Sequence, residues 1–130
     1  MKVGGVVLLA LLSVTTSAVA GPAGVVQVDV TQESGDRWRF AVTVQHADRD
    51  PDHWADWWRV RTTEGRELGH RVLLHSHVDE QPFTRDEVIH VPRDIRIVVV
   101  EAHDKVHGLG GGVTVDLTTP RGPSYTVNRR

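Results

Sequence analysis

Cysteine is absent from this 130-residue chain, and its one methionine is Met1. A product without thiolate or thioether excludes disulfides, blue-copper centres, iron–sulfur clusters and thiol nucleophiles together. Basic excess is missing too. Lys and Arg number 15 against 17 Asp and Glu, a formal net charge of −2, whereas a nucleic-acid binder is expected to carry a positive stripe. Long helical patterning is also lacking: no dozen-residue window beyond residue 20 repeats apolar residues at i, i+3, i+4 and i+7 without a breaker. What is present is an ordinary globular composition, 39% hydrophobic and 25% charged, with eight histidines. All of the histidines lie after residue 20, a density well above an ordinary share.

The first 20 residues have the layout of a secretory signal peptide. Met1-Lys2 is a short basic start, Val6 to Leu12 an apolar stretch, and Ala18-Val19-Ala20 a small-x-small cleavage signal. Cleavage is expected after Ala20. Ser13, Thr15, Thr16 and Ser17 dilute the apolar stretch below what a membrane span requires. The expected product is secreted or periplasmic, has no membrane insertion after cleavage, and has no cysteine for lipid attachment.

Beyond residue 20 the recurring pattern has period two. Val26, Val28 and Val30 alternate with polar partners, and Trp38, Phe40, Val42 and Val44 alternate with Arg39, Ala41, Thr43 and Gln45. Further strands are expected at Trp57 to Thr62, Leu68 to His77, Glu87 to Val91, Ile95 to Ala102 and Val113 to Leu117, the Ile95 run being central. Glu64-Gly65 reads as a hairpin turn and Gly108 to Gly112 as a glycine loop. Seven short strands in one domain over 21–118 predict an all-β antiparallel sandwich of the immunoglobulin or fibronectin type III kind, with Trp58 or Trp57 as the large core residue. Residues 119–130, with two prolines and a basic end, are expected to be a flexible tail.

Chain direction then suggests where chemistry gathers. If consecutive strands run antiparallel, the second, fourth and sixth deliver their C-terminal ends to one pole. His46 closes the second, His75 and His77 the fourth, and His103 the sixth, with His107 in the loop that follows. His75-Ser76-His77 would place two imidazoles on one strand face. The predicted metal ligands are His75, His77, His103, His107 and His46, with Asp104 and Glu80 as supporting acceptors. His53, His70 and His90 are read as ordinary surface or core histidines. Imidazole with carboxylate, and no sulfur, suits Zn²⁺ or Cu²⁺.

Other motifs carry less. Asp48-Arg49-Asp50-Pro51-Asp52 alternates carboxylates, but the sixth and twelfth positions of a calcium loop hold His53 and Arg59 instead of glycine and glutamate. Trp54, Trp57 and Trp58 would form a sugar-stacking platform or, more simply, fill the core. The glycine loop has no following helix and no Lys-Ser/Thr, so it is no phosphate cradle. Ser76 between two histidines lacks a nucleophile elbow.

Two strings, His75-Ser76-His77-Val78-Asp79-Glu80-Gln81-Pro82-Phe83-Thr84 and Ala102-His103-Asp104-Lys105-Val106-His107-Gly108, resemble a group of small exported bacterial proteins of uncharacterised function. Ser76 stands where that group commonly has proline. The resemblance implies export and brings no activity or ligand with it. Function is therefore expected to be binding of a divalent transition metal at a histidine-rich pole. The other reading is a non-catalytic module for an envelope protein or glycan. A metal-dependent enzyme would additionally need an open coordination position.

Overall fold

The computed structural model describes residues 4–5, 22–47 and 53–130. The signal peptide expected over residues 1–20 falls, except for Gly4 and Gly5, outside the described residues, as does the acidic loop at 48–52. Among the described residues no helix is long and apolar enough to cross a membrane.

The chain is all-β, with two sheets. Its strands are β1 (Gly24–Ser34), β2 (Arg37–Gln45), β3 (Ala55–Thr62), β4 (Glu67–Val72), β5 (Phe83–His90), β6 (Ile97–Asp104), β7 (Gly108–Asp116), β8 (Arg121–Gly122) and β9 (Tyr125–Asn128). One sheet has the order β5-β2-β1-β9-β8 and the other β4-β3-β6-β7. The seven-stranded, wholly antiparallel expectation is thus revised: nine strands are described, and β9 pairs parallel to β1.

The inward rows explain the fold. On β2, Trp38, Phe40, Val42 and Val44 are buried while Arg39, Ala41 and Thr43 are less so. On β6, Val98, Val100, Ala102 and Asp104 form the inward row, and His103 takes the opposite face. Trp58 is the large core residue of β3 and is wholly buried; Trp57 lies outside it. Burying these side chains supplies the main drive for folding, about 1.5–3 kcal/mol for each large apolar group.

Four departures from the periodic reading have local causes. A bulge between Val25 and Gln27 turns Val25 inward and leaves Val26 39% exposed, so the strict Val26-Val28-Val30 row is broken at its first member. The fourth strand ends at Val72, so His75 and His77 sit in the following connection and share no strand face. The glycines at 108–112 are inside β7, where Gly110 lies against the carbonyl of Ala23: a Cβ there would be 1.8 Å from that oxygen. Residues 119–130, expected as a flexible tail, contain β8 and β9. Tyr125 and Val127 are buried in the core, and Val28 to Thr31 of β1 pair with Tyr125 to Asn128.

Candidate metal centre

Three inward rows continue one step past their last apolar residue. On β2 the row runs through Val42 and Val44 to His46. The row of β6 runs through Val100 and Ala102 to Asp104. Ala55 begins β3 facing inward, and His53, two residues before it, has the same parity. All three polar residues are therefore carried into the mouth of the space between the sheets, and all are buried. Their register is enforced by pairing, because Asp104 lies opposite Ala55 on one side and Gly108 on the other.

The ligand-type atoms converge. His46 Nε2 lies 3.0 Å from Asp104 Oδ2, His53 Nε2 lies 3.1 Å from the same oxygen, and the two ring nitrogens are 3.2 Å apart. His107, on the turn between β6 and β7, adds Nδ1 at 3.0 Å from Asp104 Oδ2 and 3.1 Å from His53 Nε2. Its side chain is 38% exposed, whereas those of His46 and Asp104 are fully buried. The other oxygen of Asp104 is committed: Oδ1 accepts the backbone N–H groups of Val106 at 2.7 Å and His107 at 2.5 Å, which tie the turn. Burial alone would raise the Asp104 carboxyl, but those two N–H groups together with the rings of His53 and His107 outweigh it. The group is held well below the usual carboxylate range.

With protons alone, each ring donates an N–H to Asp104 Oδ2 and the donors crowd side by side, neighbouring ring nitrogens lying 3.1–3.2 Å apart. A neutral imidazole nitrogen carries either a hydrogen or a lone pair. If His53 Nε2 carries the lone pair, it faces the carboxylate oxygen lone pair to lone pair. If it carries the hydrogen, each neighbouring ring nitrogen must either oppose it with a second hydrogen or turn a lone pair on Asp104. A cation accepts all of these lone pairs. Such an ion would be held by His46 Nε2, His53 Nε2 and Asp104 Oδ2, which lie 3.0–3.2 Å from one another.

The histidines expected at this pole are sorted into three places. His46 and His107 join Asp104 in the converging group. His75 and His77 form a second pair with ring centroids 4.6 Å apart, His77 stacking on Phe83 at 3.8 Å, and they lie outside the group. Gln81 connects the two places, accepting from the His46 N–H at 2.9 Å and donating to the His77 carbonyl at 2.9 Å. Glu80 is turned to Arg85 at 3.2 Å. His103 is on the outer face of β6, with Nδ1 2.5 Å from Asp56 Oδ1 and its ring stacked on Trp57 at 4.4 Å. A bulge between Ala55 and Trp57 places Asp56 and Trp57 together on that outer side. His53, read from the sequence as ordinary, is central. The signal for it was parity with Ala55, obscured because Trp57 and Trp58 cross a bulge just downstream.

No protein-family model matches this chain, and no solved structure matches it. A curated protein of Halomicrobium mukohataei, described as "Putative lipoprotein", is 46% identical over 107 residues, covering 82% of this chain and 52% of that protein. The chain therefore spans about half the length of the curated relative it matches.

Proposed function

We propose that this is an exported β-sandwich protein that binds one divalent transition metal, Zn²⁺ or Cu²⁺, between its sheets. The buried ligands are His46, His53 and Asp104, and His107 is the exposed fourth. One observation carries the reading: His46 Nε2, His53 Nε2 and Asp104 Oδ2 lie 3.0–3.2 Å from one another, and His107 Nδ1 lies 3.0 Å from Asp104 Oδ2 and 3.1 Å from His53 Nε2. The donor set of imidazole nitrogen and carboxylate oxygen without sulfur is suited to these ions. Export is supported by the leader-like start of the sequence and by the printed name of the relative.

Titration of tag-free protein with Zn²⁺, Cu²⁺ and, as a spectroscopic probe, Co²⁺ tests the proposal. One ion per chain is expected, with the intense visible bands of near-tetrahedral Co²⁺. His53→Ala and Asp104→Asn should each weaken binding about 100-fold or more. The pair His75→Ala/His77→Ala should bind as the parent does. Absence of saturable binding, or equal binding by His53→Ala, would refute it. If only the His75/His77 variant lost the ion, the site would lie in the β4–β5 connection instead.

A further inference from the structure

The end of the molecule remote from the converging His46, His53 and Asp104 holds a different kind of site. β2 runs from Arg37 to Gln45 and β6 from Ile97 to Asp104, so both start at this end and finish at the other. The nine residues of β2 separate the two ends by about 27 Å at ~3.3 Å per residue. Here a cavity of about 460 Å³ is lined by Arg93, Arg96, Arg129 and Arg130, with Trp38 and Leu117 among its apolar walls. Among the described residues, no Asp or Glu side chain lines it. Four arginines gathered on one concavity run against the net negative charge of the whole chain.

Three of the nearby acids have partners outside the cavity. Glu33 takes Arg39 at 2.6 Å, Asp36 takes His90 at 2.6 Å, and Asp116 accepts from Thr118 at 2.6 and 2.9 Å. Arg96 Nε is 3.9 Å from Asp116, beyond hydrogen-bond range. Among the described residues, Arg93, Arg129 and Arg130 have no carboxylate within 4.0 Å. Arg129 instead stands over the Trp38 ring, 5.9 Å from its centroid, and Arg130 is pinned by its backbone N–H to Gln32 Oε1 at 3.1 Å and by Nη1, which donates to the Glu33 carbonyl at 3.4 Å. The guanidinium forks of Arg93 and Arg129, free of carboxylate partners, present rigid donor pairs matched to oxyanions, and the summed field of the four arginines concentrates anions at the mouth. The apolar wall favours a body attached to that anion, and the volume suits a small molecule.

We propose that this pocket binds a compact ligand made of an oxyanion, carboxylate or phosphate, joined to a planar apolar body that rests against Trp38. Two probes separate the parts: inorganic phosphate carries the oxyanion alone, and phenyl phosphate carries both. In ¹H–¹⁵N spectra of the full chain, phenyl phosphate should move the Trp38 indole N–H and the Arg93 and Arg129 Nε–H signals saturably. Its affinity should be about tenfold above that of inorganic phosphate and should fall with added salt. The exposed pair Arg93→Gln/Arg129→Gln should weaken it about tenfold or more without changing the thermal midpoint, and Arg96→Gln provides an independent second variant. No saturable movement at Trp38 overturns the proposal. So does undiminished affinity in both variants. Equal affinity for the two probes overturns the apolar half. The signals of His46 and His53 report the metal centre separately, so either proposal can fail alone.

Discussion

At the scale of single residues, glycines and the two ends of the inward rows make the sharpest demands. A methyl group on Gly110 would collide with the Ala23 carbonyl, a backbone atom with little room to give, whereas one on Gly111 meets nothing within 4 Å. Gly110→Ala is expected to destabilise by about 2–4 kcal/mol and Gly111→Ala by less than about 0.5 kcal/mol, as read by chemical denaturation. Equal effects would show that β7 does not press on the start of β1. The same scale shows what was legible in the sequence. His46 and Asp104 could be found because each stands at the end of a strand that the sequence marks clearly. His103, one residue away from Asp104, is expected as a ligand because chain direction brings its strand end to the pole, and chain direction alone does not specify which face that end presents. A shift of one position reverses that face.

At the scale of elements, β9 and the β3–β6 pair carry most of the consequence. Truncation after Thr118 would uncover Val28 and Val30 and leave β1 as an unpaired edge. The truncated chain should lose its cooperative unfolding transition and aggregate; a dispensable tail would leave the transition unchanged. β2 is readable because nine residues of alternation accumulate a clear signal, and β6 because its apolar run is nearly continuous. β9 is not, since Tyr125–Asn128 follows Pro120 and Pro123 closely and gains its stability from a partner almost 100 positions away. On the outer face, Arg59 and Arg61 of β3 both hold Glu101 of β6, each Nε donating to Oε1 at 2.8 Å. Burial alone would raise the Glu101 carboxyl, but the two guanidinium groups outweigh it and hold it below the usual range. A carboxyl depressed in the folded state stabilises fully above its unfolded value and loses that contribution as pH falls through the folded one. Glu101→Gln should therefore cost about 1–2 kcal/mol near neutral pH. The gap from the parent should close progressively below about pH 4.3. A pH-independent gap in thermal midpoint would contradict this.

At the scale of the whole molecule, two unlike ends are joined by one apolar interior: histidine and aspartate close one mouth, and arginine surrounds the other. The pairing of the outermost segments has a mechanical corollary. β1 and β9 run in the same direction, β1 beginning at the histidine end and β9 finishing at the arginine end. Tension applied between residues 24 and 128 pulls these neighbours past each other along their length. The hydrogen bonds of that ladder are then loaded together in shear, with no single end from which to unzip. Such a fold, strung between two attachment points, would resist stretching far better than its thermal stability alone suggests.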